Sequence, residues 1–346
     1  MGMIKVAVTE LEYRKANGVF AAAAGEGIEC ICAKPGEADL AGAIRDHQAG
    51  HAIVGVDTYS QALYDALPRG GVIARFGVGH DGIDKELATR KGLLCTNTPG
   101  VLNDSVAEYA IALLMAAARH LPTVAGTTLR GQWSPRVGRE LQGKTLAVIG
   151  CGAIGQRVAR IAARGLAMNV VGCEVAPVDN HLLVEKYGFA RICAEFAVAV
   201  AGADYVTLHI PSQPETAHFM NAERLAQLRS LAWLINTARG AIVDEAALYD
   251  ALAAGKLAGA ALDVFENEPY RPASAGKDLR TLDNVIMTSH VGSSTQEACD
   301  RMAADALRNI RLACAGKFDE MNLLNPAACP RSIQLDENLR LDEDLP

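Results

Sequence analysis

What this 346-residue chain lacks bounds its function before any motif is read. Its nine cysteines form no C-x-x-C pair and no ligand-like spacing with histidine, so neither a metal site nor a disulfide framework is indicated. They read as reduced thiols of a cytoplasmic protein. A basic surplus is missing too. Lys and Arg number 33 against 40 Asp and Glu, a net charge of −7, which gives no electrostatic reason to bind nucleic acid or an anionic membrane. The longest apolar stretch, residues 110–118, is far too short to span a bilayer. The opening Met1-Gly-Met-Ile-Lys5 has no signal-peptide core, and Val6 stands where a myristoylation signal wants Ser or Thr. Internal repeats are absent as well.

What is present is apolar and alternating. Half of the residues are hydrophobic, enough for two cores. Residues 4–8, 28–32, 52–56, 72–76 and 93–95 read as parallel strands separated by helical or turn segments, which predicts a first α/β unit with a small doubly wound sheet. Ser105-Val-Ala-Glu108 reads as a capping box that opens an apolar helix through Arg119. Residues 121–141, with Gly126, Gly131, Pro135 and Gly138, read as a loop or arm. A nucleotide-binding pattern follows from Gly143 to about Met287, and a helix over 296–315 has the spacing to return to the first domain. The expected partition is 1–98 with 293–326 as one discontinuous domain, 99–292 as the other (a helix and arm at 101–142 included), and an acidic tail at 327–346. That tail holds Asp336, Glu337, Asp342, Glu343 and Asp344.

The strongest local motif is Gly150-Cys-Gly-Ala-Ile-Gly155. Glycine is abundant here (32 residues), so the motif gains weight only from its context. Lys144-Thr-Leu-Ala-Val-Ile149 reads as a buried strand before it. Ile154, Val158, Ile161 and Ala162 share one helix face after it. A second strand, Asn169-Val-Val-Gly-Cys173, delivers Glu174 at its tip. Strand, glycine turn, helix, strand and acid make a dinucleotide-binding unit. Gly150 permits the tight turn, Gly152 lets backbone approach a pyrophosphate, and Gly155 allows close packing of helix on strand. The helix N-terminus at Ala153 and Ile154 offers N–H groups to phosphate. The bland alternative is a glycine-rich turn without a ligand.

Three further segments carry polar groups beside turn-forming residues: Asn236-Thr-Ala-Arg-Gly240, Asp263-Val-Phe-Glu-Asn-Glu-Pro269 and Ser289-His-Val-Gly292. Arg239 follows an apolar strand over 231–235 and can grip a carboxylate with two parallel bonds. His290 is suited to moving a proton near neutral pH, and Glu268 can orient the imidazole and favour its cationic form. A clamp, an acid/base and a hydride carrier are what interconversion of 2-oxo and 2-hydroxy acids requires. His80, beside Gly79, is the competing acid. Glu266 is the competing carboxylate and is expected to be solvated. A surface salt bridge is the bland reading of Arg239.

From about Val72 to Pro326 the chain resembles the D-isomer-specific 2-hydroxyacid dehydrogenases. The resemblance rests on the segments above and on Arg75-Phe-Gly-Val-Gly-His-Asp-Gly-Ile-Asp84, Asn97-Thr-Pro99, Ser105-Val-Ala-Glu108, Leu208-His-Ile-Pro211 and Gly259-Ala-Ala-Leu-Asp263. It implies an α/β fold of two doubly wound parallel-sheet domains, with a Rossmann NAD-binding domain inserted into a discontinuous flavodoxin-like substrate domain. It implies Arg239, Glu268 and His290 as the catalytic set, and Arg75, Val78, Gly79, His80 and Arg239 at the substrate. NAD is the implied cofactor. Its implied contacts are Val78, Gly150, Gly152, Ala153, Ile154, Gly155, Glu174, His209, Ile210, Pro211, Thr216, Thr237, Ala238, Arg239, Asp263, His290 and Gly292. Asp263 would accept the nicotinamide amide, and His209 would pack by the cofactor.

Glutamate at 174 departs from the family's usual aspartate. Val175, Ala176 and Pro177 after it offer no arginine for a 2′-phosphate, which favours NAD. Asp57-Thr-Tyr-Ser60, after the third strand, would repel a substrate phosphate. The expected partner is therefore a small unphosphorylated 2-oxo acid such as hydroxypyruvate, glyoxylate or pyruvate. Phosphoglycerate stays open through Arg75, phosphite oxidation is a remoter chemistry, and NAD-sensing co-regulation is the non-enzymatic alternative. The apolar helix and arm at 101–142 resemble the family's dimer-forming region, so a homodimer is expected.

Overall fold

The computed structural model describes residues 2–330, which divide into two compact units. One is built from the residues up to Leu102 together with those from Ser294 onward; the other is Asn103–Ser293. The acidic stretch 331–346 lies outside the described residues.

The first unit holds strands β1 (Ile4–Val8), β2 (Ile28–Cys32), β3 (His51–Val54), β4 (Val72–Arg75) and β5 (Leu94–Thr96). They pair in the order β2-β1-β3-β4-β5, all parallel. The central strands are runs of apolar residues because helices cover both faces; Val6, Ala7, Val8, Ile53, Val54, Val72 and Ile73 are wholly buried. Helix Gln296–Cys314 joins this unit, with Ala298, Met302, Ala306 and Ile310 buried along one stripe. Beyond it, Asn325 ties the chain to the β5 edge, accepting from Cys95 N–H at 2.8 Å and donating to Leu93 O at 2.9 Å. Residues 327 and 328, expected in the tail, belong instead to a 3₁₀ turn, Pro326–Ala328, whose Ala328 is buried. The proline pre-sets the backbone angle of that turn.

The second unit holds β6 (Thr145–Ile149), β7 (Asn169–Cys173), β8 (Arg191–Cys193), β9 (Tyr205–Leu208), β10 (Trp233–Asn236), β11 (Gly259–Leu262) and β12 (Val285–Met287). Their order is β12-β11-β10-β9-β6-β7-β8, again all parallel. Alternate residues feed two cores. Ala147, Ile149, Val206, Leu208 and Leu234 pack on one face of the sheet, and Leu146, Val148, Val170, Tyr205 and Ile235 on the other. The strand ends are in register: Ile149 pairs with Cys173 and Leu208, and Asn236 pairs with Leu208 and Leu262. Consequently the loops after β6, β7, β9, β10, β11 and β12 leave one edge of the sheet, where ligands of doubly wound sheets bind.

Two expectations are corrected here. The apolar helix runs Asn103–Ala118, so Ser105 lies inside it and Ser105-Val-Ala-Glu108 is not its cap. Asp104 occupies the first turn, where a carboxylate suits the helix dipole, and pairs with Arg157 at 2.6 Å. Residues 121–129, expected as loop, form a helix, Leu121–Leu129. Its proline falls in the first turn, where the missing N–H has no intrahelical partner to lose. Strand ends shift by a residue or two; the strand expected over 231–235 is Trp233–Asn236.

Candidate active site

The turn at 150–155 has the geometry its glycines suggest. Gly150 adopts φ +95°, and a Cβ there would sit 2.7 Å from His209 O. A Cβ on Gly155 would fall 2.1 Å from Gly150 O, so helix Ala153–Gly165 can approach the strand only because that position is bare. A Cβ on Gly152 would meet nothing within 4 Å. The helix starts there with no side chain capping its first N–H groups. Those groups therefore suit an anion.

At the tip of β7, Glu174 is fixed by backbone. Its Oε2 accepts from Cys151 N–H at 2.9 Å, and its Oε1 accepts from Val175 and Ala176 N–H at 3.0 and 3.1 Å. The longer side chain reaches back across the glycine turn. After β9, His209 donates its backbone N–H to Ile149 O at 2.7 Å and sets Nε2 2.9 Å from Thr207 Oγ1. Burial pushes its pKa down to about 4, so the ring is neutral near pH 7 and is no proton donor. Ile210 and Pro211 follow it, and Thr216 donates its hydroxyl to Pro211 O at 2.7 Å, closing that turn.

The loop after β10 is shaped by Asn236, a residue outside the expected site. Its Oδ1 accepts from Ala238 N–H at 3.0 Å and its Nδ2 donates to Arg239 O at 2.9 Å. Half-buried Arg239 donates from Nη1 to Ala238 O at 2.7 Å. Thr237 keeps its hydroxyl buried with no hydrogen-bond partner. At Gly240 a Cβ would lie 1.8 Å from Phe265 C, so the Arg239 loop rests directly on the backbone of the next loop.

That next loop, 263–268, presents Asp263 and Glu268. Asp263 is 1% exposed and holds the turn after β12. Its Oδ1 accepts from Thr288 Oγ1 at 2.6 Å and Val291 N–H at 3.0 Å, and its Oδ2 accepts from Gly292 N–H at 2.7 Å. Its carbonyl accepts from His290 N–H at 2.8 Å. His290 is thereby held at φ +53°, a conformation that non-glycine residues rarely adopt. Its Nδ1 lies 2.7 Å from Glu268 Oε2. Burial works against ionisation of Glu268. The hydrogen bond and charge of His290, the Phe265 N–H at 2.9 Å and the charge of Arg239 outweigh it and hold the carboxyl below its ordinary range. Glu266, expected to be solvated, is engaged instead. Its Oε1 accepts from Glu245 N–H at 2.9 Å, and its Oε2 is 3.2 Å from His218 Nε2. Glu245 had no local signature; only the folded loops make it a neighbour of the site.

The residues expected from the first unit are placed separately. Arg75 is buried and donates from Nη1 to Phe76 O. Gly77 adopts φ +138° and its carbonyl accepts from Thr98 N–H at 3.0 Å, while Val78 O accepts from Asn97 Nδ2 at 2.8 Å. Gly79 is half-buried, and His80 Nδ1 lies 3.2 Å from Lys85 Nζ. Among the described residues no group of His, Cys, Asp and Glu could hold a metal ion.

Residues 111–292 match the family model of the D-isomer specific 2-hydroxyacid dehydrogenase, NAD binding domain. The chain belongs to this family of oxidoreductases. It is 38% identical over 262 residues to a glyoxylate reductase of Pyrococcus furiosus, covering 72% of this chain and 74% of that one. It is 40% identical over 262 residues to a D-3-phosphoglycerate dehydrogenase of Methanocaldococcus jannaschii, covering 75% of this chain but only 48% of that longer relative. Among solved structures, an NADPH-dependent glyoxylate/hydroxypyruvate reductase from Sinorhizobium meliloti, in complex with NADP and malonate, superposes with a TM-score of 0.74. It shares 30% identity over 90% of this chain and 93% of that one. The cofactor is a nicotinamide dinucleotide. An open Gly152, uncapped helix N–H groups and the orphaned Thr237 hydroxyl are features such a group would satisfy.

Proposed function

We propose that the protein is an NAD-dependent D-2-hydroxyacid dehydrogenase acting on a small unphosphorylated 2-oxo acid: hydroxypyruvate, glyoxylate or pyruvate. The observation that carries this reading is the 2.7 Å pairing of His290 with Glu268, itself within the field of Arg239. The bound dinucleotide supplies a hydride. Arg239 grips the substrate carboxylate and polarises the carbonyl. With Nδ1 committed to Glu268, His290 passes its proton through Nε2 to the developing alkoxide, and takes the hydroxyl proton in the oxidising direction. Glu268 orients the imidazole through that contact. Asp263 and Thr237 are assigned to the nicotinamide end, the turn at 150–155 to the pyrophosphate and Glu174 to the adenine ribose, whose two hydroxyls its fixed carboxylate can accept. Arg75, Val78, Gly79 and His80 are assigned to the substrate.

Two observations favour a substrate without phosphate. The loop after β3 carries exposed Asp57, and the Arg75 guanidinium is turned inward onto Phe76 O. Several relatives are named glyoxylate or hydroxypyruvate reductases. Assayed with NADH, the small oxo acids are expected to turn over with higher kcat/KM than 3-phosphohydroxypyruvate. His290→Gln is expected to cut turnover by roughly two to four orders of magnitude with NADH binding nearly intact. Preference for the phosphorylated acid would reverse the substrate assignment. Near-normal turnover by His290→Gln, with His80→Gln taking the loss, would move the acid to His80.

The assembly assigned here is a homodimer through residues 101–142. Helix Leu121–Leu129 buries none of its residues, and Met115, Leu121, Leu129, Trp133 and Val137 stand exposed, the last three at 89, 89 and 96%. Apolar surface of this extent calls for a partner. Nine cysteines with no C-x-x-C pair suit a reducing, cytoplasmic compartment.

A further inference from the structure

Beside the Glu268–His290 pair lies a second pair of acids that the proposed reaction does not use. Glu245 opens helix Glu245–Ala253, directly after its N-cap Asp244. Glu266 lies two residues before Glu268. The two exchange hydrogen bonds: Glu245 N–H donates to Glu266 Oε1 at 2.9 Å, and Glu266 N–H donates to Glu245 Oε1 at 2.7 Å. Glu245 is 4% exposed, and its Oε2 is buried with no hydrogen-bond partner.

The charged and titratable groups that act on Glu245 are the carboxylates of Glu266 and Glu268, and it acts in turn on the Tyr270 phenol. Nearby basic groups are directed elsewhere: His218 at Glu266, His290 and Arg239 at Glu268, and Lys277 at Ala246 O and Asp250. An ionised Glu245 would be a buried anion facing two others, which is strongly disfavoured. Burial first, and then the charges of Glu266 and Glu268, raise its carboxyl to about 7 against the opposing pull of the Glu266 N–H.

We propose that Glu245 is a positioning residue: as a neutral carboxylic acid it clasps the backbone of Glu266 to the start of its helix, so that the segment ending in Glu268 keeps its carboxylate on His290. The part played in turnover rests on the reading that His290 moves the proton. The clasp itself does not. A carboxyl raised in the fold contributes stability that is complete below the ordinary carboxylate range and is lost as pH rises through about 7. Above that pH the ionised Glu245 repels Glu266 and Glu268, and the segment loosens.

The test uses the whole protein with Glu245→Gln, which keeps an acceptor for the Glu266 N–H but cannot ionise, and Glu245→Ala, which removes the acceptor. Carboxyl NMR of glutamate-labelled protein should show one group titrating near 7 that Glu245→Gln abolishes. Glu245→Gln should also flatten the alkaline loss of thermal stability. The downfield ring-proton resonance of His290, assigned by its absence in His290→Gln, should persist in Glu245→Gln and vanish in Glu245→Ala. With a working substrate, Glu245→Ala should lose roughly tenfold to a hundredfold in kcat at little change in NADH affinity, and Glu245→Gln should recover most of it. If the wild type reduces no 2-oxo acid, the proposed function fails, while the titration and the His290 resonance still decide the clasp. A Glu245 that ionises in the ordinary carboxylate range would overturn the proposal. So would a Glu245→Ala protein that keeps the resonance.

Discussion

Replacing Asp263 with asparagine changes one oxygen into an N–H donor and little else in shape. In the native turn, Val291 N–H points to one carboxylate oxygen and Gly292 N–H to the other, at 3.0 and 2.7 Å. Whichever way the amide of Asp263→Asn turns, one of these donors faces the new amide nitrogen. Thr288 can rotate its hydroxyl to accept, but a backbone N–H cannot. The variant therefore loses a charge-assisted hydrogen bond and leaves a donor unpaired in a site where residue 263 is 1% exposed. From those two effects the cost is about 3 kcal/mol. In a unit the size of Asn103–Ser293 this corresponds to a Tm lower by roughly 6–12 °C. Calorimetry, read on the transition of that unit, measures it. Thr288→Val, which removes one neutral partner, should cost about 1 kcal/mol. Because His290 hangs on the Asp263 carbonyl and on the same turn, Asp263→Asn should also lower kcat. If Asp263→Asn loses turnover while its Tm stays within a degree of wild type, Asp263 does not hold this turn, and its importance lies in contact with the cofactor alone.

Two other outcomes are expected. Glu174, fixed by three backbone N–H groups, presents a like charge to a 2′-phosphate, so NADH should be clearly preferred over NADPH in kcat/KM. Glu174→Ala combined with Val175→Arg should reduce or reverse that preference, and equal use of NADPH by the unmodified protein would sink the assignment. Sedimentation at micromolar concentration should give a dimer. Leu129→Glu with Val137→Glu should shift it toward monomer, and a wild-type monomer would reject the interface.

The parts of the molecule legible in the sequence are those written in local pattern. Apolar runs fix the central strands because both faces of each sheet are covered. The glycine turn, Glu174 and the Arg239, Glu268 and His290 segments lie where strands end, so their sequence order places them on one edge. Local pattern also misled. Ser105 and Glu108 have capping-box spacing, yet Asn103 and Asp104 start the helix earlier. Gly126 reads as part of a loop or arm, yet it lies inside helix Leu121–Leu129. Glu266 looked like a surface acid in an acidic segment. Its partners, Glu245 and His218, are separated from it in sequence and meet it only through the folding of three loops. No periodicity encodes such a meeting. Asn236 is a local case: its amide closes the Arg239 loop through residues two and three positions further on, from the end of a buried strand.

The contact at Gly240 links two tasks that are otherwise carried by different loops. A side chain there would overlap the backbone of Phe265 and Glu266, so the segment bearing Arg239 and the segment ending in Glu268 share one surface. Any displacement of one is transmitted to the other through main-chain atoms, which cannot yield by changing rotamer. The proposed grip on the oxo acid and the proposed delivery of the proton are therefore mechanically joined. Variants that adapt the clamp to a larger acid should disturb proton transfer even when they leave Glu268 and His290 untouched.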